Sequence, residues 1–157
     1  MTFLKPQILI SVFIVLILDQ VTKYSITQHL VRGEARVIIK DFFNLRLNYN
    51  PGVAFGLFSD LPDQIRDVLL ISVAVLAIIF ILTYFTKQYR HDSFGLVLIG
   101  MIVGGALGNL VDRVRYGEVV DFLDFYFKGM HWPAFNIADS AICIGVILLL
   151  FRSPKSY

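Results

Sequence analysis

Charge is scarce in this sequence and cysteine nearly absent: 17% of its 157 residues are Asp, Glu, Lys or Arg, and Cys143 stands alone. A single cysteine excludes an intrachain disulfide and a cysteine-rich metal site. Because Cys143 lies in an apolar run, it reads as a small buried hydrophobe rather than a nucleophile. The net charge of +2 is small, and no basic tract or aromatic–basic repeat accompanies it, which argues against nucleic acid as a partner. There is no His-Glu-x-x-His, and His29, His91 and His131 are scattered, so no zinc-protease site and no other metal site is expected. No Gly-x-Ser-x-Gly occurs, and Ser140 has no basic partner nearby in sequence. No glycine-rich phosphate loop precedes a helix, and no cofactor is expected.

What the chain has instead is apolar length. Hydrophobic residues make up 57% of it, and the mean hydropathy is +0.71. We read residues 1–157 as a single membrane-embedded domain with no soluble appendage. The fold class expected is an integral membrane, mainly α protein with four transmembrane helices, at about 7–26, 65–85, 94–111 and 134–151. Each has about 18–21 residues, enough for a hydrocarbon core of about 30 Å. The first span resembles a signal-peptide core, with Lys5 ahead of Ile8 to Leu18. No small-x-small cleavage site follows, so it is taken as retained. Gly100, Gly104 and Gly108 recur every fourth residue and read as a helix-packing face.

The connectors are unequal. Residues 86–93 form a short basic turn. In residues 27–64, Leu45 and Leu47 alternate with Asn44, Arg46 and Asn48, which predicts a small β-hairpin or sheet with one apolar face, and Pro51-Gly52 marks a turn. Residues 114–133, with Phe122, Phe125, Tyr126, Phe127 and Trp132, read as an amphipathic segment at the membrane interface.

Four aspartates, Asp19, Asp112, Asp121 and Asp139, lie in or beside the apolar segments. A carboxylate near hydrocarbon costs at least about 2.5–3.5 kcal/mol on insertion scales and therefore marks a functional site by default. With four alternating spans all four aspartates map to one membrane face, together with Asn109, Asn136 and both long connectors. Charge leaves the orientation open. The short basic loop argues for a cytoplasmic opposite face, whereas nine of the 14 basic residues lie on the site face. Two carboxylates held close share one proton, so that one activates water while the other polarises a carbonyl. Asp139 together with Asp121 or Asp124 could form such a pair; for Asp139 the competing reading is a structural helix-start aspartate. Asp124 taken alone reads as a solvated surface residue. The rival class is a small proton-coupled exporter, for which carboxylates nearer the membrane midplane would be expected.

Five motifs in order, Asp19-Gln-Val-Thr-Lys23, Asn50-Pro-Gly-Val-Ala-Phe55, Gly104-Gly-Ala-Leu-Gly-Asn109-Leu-Val-Asp112-Arg113, Val119-Val-Asp121-Phe122 and Phe135-Asn136-Ile-Ala-Asp139-Ser140, resemble those of the bacterial lipoprotein signal peptidases (signal peptidase II). The resemblance spans nearly the whole chain. It implies a monomeric multi-pass aspartyl endopeptidase of the bacterial cytoplasmic (inner) membrane, with both termini cytoplasmic and its site near the outer leaflet. Its partners would be membrane lipid and a diacylglyceryl-modified prolipoprotein, cut just before the lipidated cysteine. The catalytic pair implied is Asp121 and Asp139, with Asp121 chosen over Asp124 by its Val-Val-Asp-Phe context. Asn109, Asp112, Arg113 and Asn136 match positions that line or brace the site, Arg113 having a fork suited to substrate carbonyls. Asn50 and Gly52 match the loop on the substrate side. Asp19 and Lys23 match the first-helix motif, either as a buried ion pair or as substrate contacts.

Overall fold

A computed structural model describes residues 5–52 and 61–154. Helix α1 (Pro6–His29) opens on a proline, whose missing N–H costs nothing in a first turn. Helix α2 (Asp63–Phe80) runs through a π-helical turn (Ile81–Phe85) into the short α3 (Thr86–Gln88), one apolar rod of 26 residues. Helix α4 (Ser93–Tyr116) stops at Gly117, whose φ of 71° lets its N–H close on the Arg113 carbonyl. Helix α5 (Ile137–Leu150) has 14 residues. Thus α1, the α2–α3 rod and α4 are long and apolar enough to cross a membrane, and α5 is a shorter apolar helix.

The helices differ from the expected spans at their ends. The first three extend two to five residues further at the site end, because their polar tails continue the helical hydrogen bonding. The last begins later, at Ile137 instead of 134, because Asn136 caps it and Phe135 is still paired to Leu123 in a β-bridge. Asp139 accordingly occupies the first turn of α5, at its mouth, rather than about five residues inside a span.

Helix α4 is the centre of the bundle, packing on both α1 and α5. Gly104 faces α1: a Cβ there would lie 3.0 Å from the Val12 Cα. Gly105 faces α5: its Cβ would come within 2.4 Å of the Ala138 carbonyl oxygen. Real contacts are never that short, and the obstacle is backbone, so Gly105→Ala must push the first turn of α5 away from α4. The expected cost is about 1–3 kcal/mol, read as a lower thermal midpoint in detergent. An unchanged midpoint would mean that the two helices do not approach this closely.

The two long connectors meet in one antiparallel sheet of order β1-β2-β3-β4, formed by Ala35–Ile39, Phe43–Asn50, Val119–Phe127 and Met130–His131. The alternation in β2 is used as expected. Leu45, Leu47 and Tyr49 pack with Val120 against Leu30 beyond the end of α1, while Asn44 and Asn50 hold aspartates. A register shift between Leu45 and Asn48 sets Asn48 opposite Asp121. The segment 114–133 is not one amphipathic element. Its first residues finish α4, and the rest forms β3 and β4, favoured by its β-branched and aromatic residues. Val119 to Phe122 are all buried, which an amphipathic strand would not be.

Candidate active site

The first layer of polar contacts is a closed ionic cluster. Asp19 and Lys23, one turn apart on α1, are 0% and 3% exposed. Lys23 Nζ lies 2.8 Å from Asp19 Oδ2 and 2.8 Å from Asp112 Oδ2, and donates to Asn109 Oδ1 at 3.1 Å. Gln20 Nε2 donates to Asp112 Oδ1, and the Val120 N–H to Asp112 Oδ2. Asp19 Oδ1 accepts the Ala138 N–H at 2.9 Å, an otherwise orphaned donor in the first turn of α5. One carboxylate of the first helix therefore caps the last, and the cluster ties together α1, α4, β3 and α5. Buried charges persist only when paired and hydrogen-bonded, as these are. Of the two roles left open for Asp19 and Lys23, this enclosure favours bracing.

Above the cluster sits Asn136, from which the two aspartates Asp121 and Asp139 are held. Its side-chain oxygen accepts the Asp139 N–H at 2.9 Å, and its own N–H donates to Asp139 Oδ2 at 3.2 Å, a reciprocal capping box. Its amide nitrogen donates to Asp121 Oδ1 at 2.8 Å. Asn109 donates to Asp139 Oδ1 at 2.7 Å, and Asn50 donates to Asp121 Oδ2 at 3.0 Å while its oxygen accepts the Gly52 N–H. Both carboxylates are thus oriented by amides. Asp121 is 2% exposed, and Asp139 is half-buried. Burial, and then the charge of Asp139, push the Asp121 carboxyl up to about 7, against the hydrogen bonds from Asn50 and Asn136.

Gly52 has a φ of 87°, and a Cβ there would come within 2.8 Å of Arg113 Nη1. Only glycine lets that turn and the guanidinium approach so closely. Among the described residues, buried Arg113 Nη1 has no hydrogen-bond partner and is a donor left over beside the two aspartates. Val53 to Phe55, the rest of the Asn50 motif, lie outside the described residues.

All ten residues singled out from the sequence gather here: Asp121 and Asp139 with Asn50, Asn109 and Asn136, the cluster Asp19, Lys23 and Asp112 beneath, and Gly52 with Arg113 at the side. The helix-start reading of Asp139 is realised, since its carboxylate closes the capping box. Two expectations need correction. Cys143 is exposed, and lines an apolar groove of about 370 Å³ with Trp132, Phe135, Asp139, Ser140 and Ile144. It lies one turn beyond Asp139 on the outward face of α5, and apolar neighbours in sequence do not separate an outward face from a core. Asp124 is 2% exposed rather than solvated, because Asn44 Nδ2 and His131 Nδ1 close on its two oxygens at 3.0 and 2.7 Å. Burial works to raise Asp124, but the hydrogen bonds from His131 and Asn44, with the charges of His131 and Arg46, together outweigh it and hold the carboxyl below its ordinary value. Gln20, Asn44 and His131 were not picked out from the sequence. Gln20 lies inside the Asp19–Lys23 motif, which was a usable signal, whereas nothing local marks the other two. Among the described residues no group of three or more His, Cys, Asp or Glu side chains could hold a metal ion.

The family model described as signal peptidase (SPase) II matches residues 11–154. The chain is 45% identical over 148 residues to the lipoprotein signal peptidase of Syntrophus aciditrophicus (strain SB), covering 93% of this chain and 92% of that one. With the lipoprotein signal peptidase of Geobacter sulfurreducens it shares 42% over 134 residues, covering 85% and 82%. A bacterial membrane enzyme solved by the in meso method at 1.9 Å superposes with a TM-score of 0.81 at 36% identity, over 92% of this chain and 90% of the other. A second such structure, at 2.3 Å, gives 0.80.

Proposed function

This chain belongs to the signal peptidase II family, and from that premise we propose that it is an aspartic endopeptidase acting through Asp121 and Asp139. Its substrate is a diacylglyceryl-modified prolipoprotein, cut just before the lipidated cysteine. The observation that carries the aspartic mechanism is the double use of Asn136. Its side-chain amide holds Asp121 and its backbone N–H holds Asp139, so carboxylates from a strand and a helix are fixed on one residue.

The chemistry follows from the unequal settings of the pair. Two neighbouring carboxylates do not both ionise cheaply, so the site keeps one proton. Asp121, the more deeply buried, carries it and passes it to the scissile carbonyl oxygen as the water adds to the carbonyl carbon. Asp139, at the mouth of α5, is the base that takes a proton from the attacking water. The tetrahedral intermediate collapses as that proton passes to the leaving nitrogen, and Asp121 regains its own. The Nη1 donor of Arg113, without a partner among the described residues, is available to a substrate carbonyl.

We place α5 in the membrane as a fourth span and treat the chain as a single-domain monomer of the bacterial inner membrane. Both termini are cytoplasmic and the sheet roofs the dyad at the outer leaflet. The family relationship supports this orientation, which charge alone left open, and speaks against the exporter reading. Cleavage should be insensitive to chelators, since the carboxylate pair activates water by itself. It should require the lipid, because acyl chains anchored in the leaflet hold the scissile bond at the depth of the dyad. One prolipoprotein prepared with and without its diacylglyceryl group, each assayed with and without a chelator, tests both. Equal turnover of the unlipidated form, or chelator inhibition reversed by zinc, would overturn this reading.

A further inference from the structure

Beyond the apolar groove along α5, a second groove of about 280 Å³ lies on the sheet, with Arg46, Asn48, Asp124, His131 and Trp132 among its lining residues. We propose that this groove seats the first residues of the mature lipoprotein after the modified cysteine, and selects acidic or uncharged residues over basic ones there. The proposal rests on the function argued above.

Position comes first. Asn48 stands directly opposite Asp121 in the β2–β3 ladder, so the groove starts beside the dyad. Trp132 is a wall of both grooves, polar on one side and apolar on the other. A peptide lying across Asp121 and Asp139 therefore has two unlike exits. The substrate has two unlike parts as well: an apolar signal segment and acyl chains, and a polar mature segment beginning at the cysteine. The polar part needs partners for its backbone groups on leaving the bilayer. Among the groove residues, Arg46, Asn48 and His131 can supply them.

The groove is built rather than incidental. Asp124 takes the amide of Asn44 on one oxygen and Nδ1 of His131 on the other, and the His131 ring stacks on Tyr126 with centroids 5.0 Å apart and planes 11° from parallel. Held at Nδ1 and by its face, the ring has Nε2 as its remaining polar atom. Asp124 is buried and engaged twice, and Arg46, whose charge also acts on Asp124, is the formal charge of the lining that an incoming side chain meets. An incoming Lys or Arg meets a like charge, and an Asp or Glu an opposite one.

The test uses the full-length enzyme and two diacylglyceryl-modified prolipoprotein peptides that differ only at the second and third residues of the mature segment, Asp-Asp in one and Lys-Lys in the other. The parent should favour the Asp-Asp peptide in kcat/KM by about tenfold or more. Arg46→Glu should bring that ratio to one or below, Arg46→Gln should fall between, and His131→Gln should narrow it. A parent ratio of one, or the parent ratio persisting in Arg46→Glu, would overturn the proposal while leaving the protease reading intact. Cleavage of neither peptide would remove both. An Arg46→Glu defect equal for the two peptides, and present only in micelles containing anionic lipid, would assign the groove to lipid headgroups instead.

Discussion

Replacing Asp121 or Asp139 with asparagine is expected to leave a folded, membrane-inserted protein whose turnover has fallen by about a thousandfold or more, the scale of losing a positioned acid or base. Each substitution keeps the size of the side chain and removes the ionisable group. The pair should also set the pH dependence. With Asp121 raised to about 7, a site carrying one proton at lower pH loses it as the pH rises through that value, so activity should decline on the alkaline side. The apparent value belongs to the dyad rather than to either residue. The sign for stability is the same. Between the ordinary carboxylate range and about 7 the folded chain binds a proton that the unfolded chain does not, so this group's contribution to stability falls as pH rises through that window. Turnover of a lipidated prolipoprotein against pH, for the parent and both variants, is the measurement. Parent-like turnover by Asp139→Asn would sink the mechanism.

The largest loss of stability is expected from Lys23→Met. The substitution keeps an unbranched apolar stem but withdraws the cation that Asp19 and Asp112 share in an enclosed site. Removing one partner of a buried ionic group costs about 3–5 kcal/mol, because the remaining charges are left uncompensated. Asp19 also caps α5, so the damage should reach the dyad and lower activity as well. Adding Asp19→Asn and Asp112→Asn to Lys23→Met should recover part of the lost midpoint, since no buried charge then lacks a counter-ion. Thermal unfolding in detergent distinguishes these cases. A Lys23→Met midpoint within about a degree of the parent would mean the cluster does not carry the load assigned to it.

Much of this architecture was legible because it is local. About twenty apolar residues in a row announce a spanning helix whatever they pack against, and alternating helix directions already brought Asp19, Asp112, Asp121 and Asp139 to one face. Period two in Leu45 and Leu47 against Asn44, Arg46 and Asn48 announced β2. Pairings between distant segments were not legible. Asp124 is buried by Asn44, 80 residues earlier, and by the turn that returns His131, so its own surroundings suggested solvent. Cys143 illustrates a different limit: in a membrane protein outward and inward helix faces are both apolar, and composition cannot tell them apart. The start of α5 depended on Asn136, whose side chain bonds four residues from α4, β3 and α5 itself.

The shortness of α5 has a consequence for the reaction itself. Hydrolysis consumes water, yet the dyad sits among apolar helices. Fourteen residues reach about 21 Å, against about 36 Å for the 24 residues of α4 beside it, in hydrocarbon about 30 Å thick. On the topology proposed above, the bilayer accommodates this hydrophobic mismatch by thinning around α5. The headgroup boundary would then dip toward Asp139, and on the mechanism proposed above the attacking water would reach the base through a dimple in the leaflet, with no need of a channel through the protein.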